Sequence, residues 1–262
     1  MKSEVLLVKN QEEIIMHYTG TIWRPPYEAY SLLVQVTAGC THHSCKFCTL
    51  YEDLPFKFKL SPFSEVKADL AEASKYYRKI PRIFFTGANP FVLSTEKLKT
   101  LAKMVKEYYP FYKTIGCFAR ITDIMPKSLE ELKELRALGY DGITIGVETG
   151  DDESLTFMNK GFQSKDVLEQ CRKLDEAGIS YNFFYLTGIY GAGRGEVGAK
   201  KTAMLFNQLN PKIIESSMLT IYKTSELYQE IQKGNWKEES EIEKLIELKT
   251  LVENLTINTR IV

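Results

Sequence analysis

Three cysteines crowd into one short segment, Thr37-Ala38-Gly39-Cys40-Thr41-His42-His43-Ser44-Cys45-Lys46-Phe47-Cys48. Thiolates are soft ligands suited to an iron–sulfur cluster or to zinc, and a loop this short wraps them around one small site. Three ligands leave one position open. On a four-iron cluster the open iron can bind a substrate directly, whereas an electron-carrying cluster ordinarily takes four thiolates. The other reading is zinc, with His42 or His43 completing a closed structural site, although adjacent histidines inside the loop are too constrained to wrap comfortably. The two remaining cysteines read as packing residues: Cys171 continues the stripe of Val167, Leu168 and Leu174, and Cys117 falls within a predicted strand.

The elements that must position this loop are short β-branched or aromatic runs alternating with longer segments of helical period, the mark of strand–helix units around a parallel sheet. Six strands are predicted: Leu32–Thr37, Ile83–Thr86, Thr114–Ala119, Gly142–Val147, Tyr181–Leu186 and Ile213–Thr220. The cysteine loop therefore follows the first strand, on the rim where barrels of this kind carry their chemistry. Leu98, Leu101, Ala102 and Val105 form one helical stripe and Leu129, Leu132 and Leu135 another. Ser128 with Glu131 fits a capping box, and Gly139 and Gly178 sit where helices end. Ile242, Leu245, Ile246, Leu251, Val252 and Leu255 suggest a closing amphipathic helix, and no seventh strand is apparent. The fold class is α/β, a partial (β/α)6 TIM-like barrel of parallel strands with C-terminal helices. Residues 1–30 form an N-terminal extension and residues 31–262 a single barrel domain, consistent with 262 residues and 44% hydrophobic content.

Other candidates cluster at the predicted carboxyl ends of strands. Phe85-Thr86-Gly87-Ala88-Asn89-Pro90 forms a turn, for which Gly87 and Pro90 are sufficient reason. Glu148 directly follows the apolar run Ile143-Thr144-Ile145-Gly146-Val147, where an unpaired carboxylate is expensive to bury, so a cationic or hydroxylated partner is expected. An exposed helix-capping acid is the alternative. Arg120 ends the third strand beside Thr122 and Asp123. Arg194 lies in a glycine-rich loop, where arginines are as often solvated surface charges. The run from Gly188 to Gly198 lacks both the P-loop spacing and the acid of a dinucleotide fingerprint.

Bulk properties narrow the classes. Lys plus Arg (34) equals Asp plus Glu (34), so no sustained field recruits nucleic acid or an anionic membrane. The N-terminal residues lack a secretory pattern and no apolar stretch reaches membrane-spanning length. Five cysteines, three in one loop, make a poor disulfide framework. The chain reads as cytoplasmic.

On these residues the sequence resembles the radical S-adenosylmethionine (SAM) superfamily, whose cysteine loop usually has gaps of three and then two residues. Here the first gap has four, Thr41 to Ser44. This C-x4-C-x2-C form resembles a poorly characterised branch, along with Arg24-Pro25-Pro26, Glu28-Ala29 and Ser31-Leu32-Leu33. The resemblance implies that Cys40, Cys45 and Cys48 hold a [4Fe–4S] cluster whose open iron is chelated by the amino and carboxylate groups of SAM. Phe47 matches an aromatic that packs near the adenine. Thr86, Gly87 and Asn89 stand where the family holds the SAM amino group, with Asn89 in place of the usual acid. Glu148 matches a glutamate that contacts the ribose or amino-acid part. Ile189 and Gly191 match the loop along the adenine, and Arg120 and Arg194 are candidates for a SAM or substrate carboxylate.

The implied reaction is reductive cleavage of SAM to methionine and a 5′-deoxyadenosyl radical that abstracts hydrogen from a substrate. The reductant would be a flavodoxin or ferredoxin, and the cluster would be oxygen-sensitive. The substrate is expected to be a small molecule. A protein activase that installs a glycyl radical, or modification of a peptide or RNA, is the enzymatic rival. A zinc-stabilised α/β binding protein is the non-enzymatic one.

Overall fold

Period-two alternation of apolar residues is realised as a parallel sheet in the computed structural model. It describes residues 16–262 and, of the first fifteen, the backbone of Lys2–Ser3, Leu7–Lys9 and Glu12–Ile14. The strands are β1 (Leu32–Gln35), β4 (Arg82–Thr86), β5 (Thr114–Ala119), β6 (Ile143–Glu148), β7 (Tyr181–Thr187), β8 (Ile213–Met218) and β9 (Arg260–Ile261), with β2 (Thr37–Gly39) and β3 (Phe58–Leu60) forming a separate hairpin. The order in the main sheet is β9-β8-β7-β6-β5-β4-β1. Every neighbouring pair is parallel, the pattern of an open, partial barrel.

Helices cross between the strands: α1 (Phe63–Tyr76), α2 (Thr95–Tyr108), α3 (Ile121–Ile124), α4 (Leu129–Ala137), α5 (Asp152–Phe157), α6 (Ser164–Ala177), α7 (Gly195–Phe206), α8 (Glu226–Gln232) and α9 (Glu241–Asn254). Their predicted stripes are core: Leu98, Leu101, Ala102, Val105, Leu132 and Leu135 are all buried. The capping box of α4 forms, with the Glu131 amide donating to Ser128 Oγ at 3.1 Å and the Ser128 amide donating to Glu131 at 2.8 Å. Gly178 ends α6 in a left-handed conformation (φ 73°), which a glycine adopts without strain. Cys117 and Cys171 are fully buried, as packing residues are. No helix among the described residues is long and apolar enough to cross a membrane.

Three expectations are corrected. Thr37 is not the end of the first strand: Thr37–Gly39 turns away to pair antiparallel with Phe58–Leu60, so the cysteine loop is the tip of a hairpin. A seventh strand exists, Arg260–Ile261, too short to leave a periodic signal. The C-terminal helix forms but faces the other way. Its Ile242, Leu245, Ile246 and Val252 are exposed, while Lys244, Glu247, Thr250 and Leu251 are buried. On the buried face Glu247 accepts hydrogen bonds from Tyr185 Oη at 2.5 Å and from the Gly188 amide at 2.8 Å, an inward-turned carboxyl that apolar spacing does not reveal.

Of the expected extension, residues 1, 4–6, 10–11 and 15 lie outside the described residues. The part from Met16 onward crosses the half-barrel: Thr19 meets Gln35 and Trp23 meets Thr86 at the carboxyl ends of β1 and β4, and residues 27–28 reach the amino-terminal ends of the strands. There Glu28, 3% exposed, takes two hydrogen bonds of 2.9 Å from Arg82 Nε, while Arg82 also donates to Thr114 Oγ1 at 3.0 Å and the Asp141 carbonyl at 3.1 Å. Tyr27 Oη meets Thr144 Oγ1 at 2.9 Å, closing the floor of the half-barrel.

Candidate active site

The cysteine loop is held from several sides by backbone groups. The Cys40 amide donates to the Lys57 carbonyl at 2.8 Å, and the Cys48 amide to the Cys45 carbonyl at 3.0 Å. The turn after α5 supplies a second support: the Lys46 amide donates to the Met158 carbonyl at 3.1 Å and Asn159 Nδ2 to the Ser44 carbonyl at 2.9 Å. The Leu227 amide, on α8, donates to the Lys46 carbonyl at 2.8 Å. Gly39 is required beneath the loop, because a Cβ there would stand 2.1 Å from the Lys57 carbonyl oxygen.

All three thiols of the loop are unpaired and face one pocket of about 530 Å³ at the carboxyl ends of the strands, a volume in the range of small-molecule sites. Burial raises the Cys45 thiol, with Lys160 and Arg120 partly offsetting it. Burial likewise pushes Cys48 up to about 11, and the charges of Cys45 and Cys40 add to the rise. Such thiols ionise when a metal replaces the proton. Among the described residues no three Cys, His, Asp or Glu side chains gather around a point as a single metal ion requires. One ring nitrogen of His42 is engaged by the Asn159 carbonyl at 2.6 Å. Three thiolates without a fourth protein ligand suit an iron–sulfur cluster with one open iron.

Opposite the thiols, β6 ends in an unusual conformation. Glu148 has φ 67°, and the register to β7 shifts between Gly146 and Glu148. A non-glycine residue in the left-handed region is held there by its surroundings. The carboxylate meets Lys160 Nζ at 3.1 Å, the cationic partner that burial of Glu148 requires. Burial alone would push the Lys160 ammonium down, but the charges of Glu148 and Cys45 outweigh it and the net shift is upward. Lys160 also lies 5.7 Å from the Phe47 ring and 5.5 Å from that of Phe162. Arg120 donates to Thr122 Oγ1 at 3.0 Å and to the Lys160 carbonyl.

Cys40, Cys45, Cys48, Phe47, Gly87, Arg120 and Glu148 are thus brought together around one pocket. At Gly87 (φ 129°) a Cβ would stand 2.1 Å from Thr37 Oγ1, so only glycine lets β4 approach the hairpin there. Thr86 and Asn89 are placed differently. Thr86 is buried and donates to the Trp23 carbonyl at 2.8 Å. Asn89, fully buried, donates to Thr41 Oγ1 at 2.7 Å and to both Asp123 oxygens at 3.1 Å, so it ties the loop to α3 and its amide does not reach the pocket. Burial raises Asp123 to about 6 despite these bonds.

The third candidate segment is also displaced. Ile189 is buried, Gly191 packs against Trp236, and Arg194 is captured by Asp151 at 3.3 Å and Glu153 at 2.8 Å; none of the three lines the pocket. This loop rests instead on Glu247, whose side chain burial raises well above the carboxylate range, reinforced by the charge of the adjacent buried Glu239. Tyr185 and Tyr190, the other ionisable groups facing it, are themselves raised by burial.

A folded-state value raised above the unfolded one gives stability that is complete below the ordinary glutamate value of 4.5 and is lost as pH climbs toward the folded value. The melting temperature of the protein is therefore expected to fall from about pH 5 into the alkaline range, and Glu247→Gln to flatten that fall. A wild-type profile no steeper than that of the variant would remove the assignment.

Lys160 was not foreseen from sequence, and neither was Glu215 of β8, which lines the far side of the pocket. Lys160 had one signal, the expectation of a cation for Glu148, but nothing in the order of residues says which cation.

Comparison with known proteins accounts for this arrangement. The radical SAM superfamily profile matches residues 34–199. An uncharacterised protein of Methanocaldococcus jannaschii is 22% identical over 218 residues, covering 79% of this chain and 66% of that one. Coproporphyrinogen III oxidase of Escherichia coli, a radical SAM enzyme, superposes with a TM-score of 0.65 at 18% identity, over 85% of this chain and 51% of that one. The radical SAM methyltransferase TsrM of Kitasatospora setae, solved with cobalamin and a [4Fe–4S] cluster, gives 0.62 at 17% identity, over 78% and 39%. The chain thus spans about two thirds of the archaeal relative, about half of the oxidase and 39% of the methyltransferase. The zinc-stabilised binding protein is set aside: the match covers more than half of the chain, which belongs to the radical SAM superfamily of enzymes, users of a [4Fe–4S] cluster and SAM.

Proposed function

We propose that Cys40, Cys45 and Cys48, in C-x4-C-x2-C spacing, hold the [4Fe–4S] cluster, and that the pocket beside them binds SAM and a small-molecule substrate. The supporting observation is the convergence of the three thiols with Phe47, Gly87, Arg120 and Glu148 on one cavity at the carboxyl ends of the strands. When bound, the cluster supplies the electron that splits SAM into methionine and a 5′-deoxyadenosyl radical, which takes hydrogen from the substrate.

The chain's own residues bind, orient and shield. Glu148, paired with Lys160, accepts hydrogen bonds from the hydroxyl or amino groups of SAM. Arg120, fixed by Thr122 and the Lys160 carbonyl, faces its carboxylate. Phe47 flanks the adenine, and the bare backbone at Gly87 admits the methionyl end. Phe118 and Phe184 line the interior with apolar rings, whose strong aromatic C–H bonds are poor hydrogen-atom donors and which help keep water out. The electron comes from a flavodoxin or ferredoxin, and residues 31–262 act as one barrel unit in the cytoplasm.

Anaerobic reconstitution with iron and sulfide tests the reading. The expected product is a brown, dithionite-reducible protein carrying about four iron and four sulfide per chain and forming 5′-deoxyadenosine from SAM. A colourless protein that takes up stoichiometric zinc instead would contradict it.

A further inference from the structure

The pocket has a second charged region, away from the thiols. Glu215 is the third residue of β8 and pairs in register with Phe184, which itself pairs with Gly146, two residues before Glu148. It therefore sits deeper in the half-barrel than Glu148 and faces the same space, with Ser217 two residues on along the same face. Its Oε2 is sealed from solvent and, among the described residues, has no hydrogen-bond partner. Burial raises this carboxyl to about 7.

Three cations line the pocket, Arg24, Arg120 and Lys160; Lys160 is engaged with Glu148 and Arg120 with Thr122 and the Lys160 carbonyl, and among the described residues none of the three forms an ion pair with Glu215. Tyr27, whose hydroxyl is near enough to feel the charge of Glu215, meets Thr144 Oγ1 with that hydroxyl. Beside Glu215 is an aromatic wall. Phe118 and Phe184 stack with centroids 6.1 Å apart and planes at 24°, and Phe84 meets Phe118 edge-on at 5.0 Å.

A buried acceptor with no protein donor is expensive unless a ligand supplies one. The group that satisfies it best is a cation. An ammonium completes the hydrogen bond, turns the carboxyl into a paired carboxylate and is attracted to neighbouring ring faces. A neutral donor provides only the first of these, and an anion none. Of the two carboxyls that line the pocket, Glu148 has Lys160 as its cation, which leaves Glu215 as the one without a cationic partner among the described residues.

We infer that Glu215 anchors the substrate, and that the substrate is a primary amine whose apolar portion lies along Phe118 and Phe184. The inference rests on the reading of this pocket as the SAM and substrate site. Glu215 then fixes one end of the substrate and leaves its C–H bonds directed toward the SAM end.

Benzylamine and benzyl alcohol, which differ in charge and little in shape, are the probes. Each is titrated into the reconstituted, SAM-loaded protein by isothermal calorimetry or ligand-observed NMR. The wild-type protein is expected to bind benzylamine at least about tenfold more tightly than benzyl alcohol. Glu215→Gln, isosteric and uncharged, is expected to reduce that preference to about threefold or less, with alcohol binding serving as the control for an intact pocket. Equal binding of the two probes by the wild type, no saturable amine binding, or an undiminished preference in the variant overturns the inference. The wild-type comparison stands without the variant if the latter folds poorly. Cluster absorbance and SAM affinity, read on the same samples, separate the two levels: a protein that loads cluster and SAM yet treats the probes alike refutes only the anchor, whereas one that loads neither refutes both.

Discussion

Replacing any one of Cys40, Cys45 or Cys48 with alanine is expected to bring 5′-deoxyadenosine formation down to background and to leave less than about half of the wild-type iron bound. With two thiolates the cube has lost both charge and geometric hold, and SAM has no correctly presented iron to chelate. The three positions act as a unit, so the single variants should resemble the triple variant and not sum to it. The three cysteines line the pocket and are not part of the hydrophobic core, so the substitutions leave no core cavity and the thermal transition should move little. Cys171→Ala is the matched control, a buried packing residue distant in role, and should keep its iron and its SAM cleavage. Robust deoxyadenosine formation by a loop variant, with reductant and without air, would overturn the ligand assignment.

Glu148→Gln is expected to weaken SAM binding by about 10- to 100-fold, the worth of a hydrogen bond to a charged group of about 1.5–3 kcal/mol. Cluster content should be unchanged, because the carboxylate hydrogen-bonds to Lys160 and to none of the three thiols. The variant isolates charge: glutamine keeps length and shape, and it leaves Lys160 buried without its counter-ion. Glu148→Gly would confuse the result by relaxing the backbone at φ 67°. Equal SAM affinity in wild type and Glu148→Gln, measured by equilibrium binding, would dismiss the role of this residue.

The sheet was legible because its strands carry a period of two in β-branched and aromatic residues, and the helices because Leu98, Leu101, Ala102 and Val105 repeat at helical spacing. The cysteine loop was legible because three scarce residues share nine positions. Other features depend on side chains meeting after folding. Asn89 looked like a cofactor contact by its place after β4, yet Asp123, 34 residues on, and Thr41 claim its amide. Arg194 was drawn off by Asp151 and Glu153. The closing helix was identified by its apolar residues, but of these Leu251 is buried while Ile242, Leu245, Ile246 and Val252 are exposed, and Glu247 turns inward to Tyr185 and Gly188, a contact that exists only after folding. Glu215 was invisible for a plainer reason: a single acid in Ile213-Ile214-Glu215-Ser216-Ser217 has no spacing to read.

The supports of the hairpin tip come from separate parts of the chain. Lys57, Met158, Asn159 and Leu227 each hydrogen-bond its backbone, so elements far apart in sequence meet at one short stretch. Slackening in the turn after α5 or at the start of α8 is thereby passed to the backbone that carries the three sulfurs, and substitutions well outside the cysteine segment can disturb it.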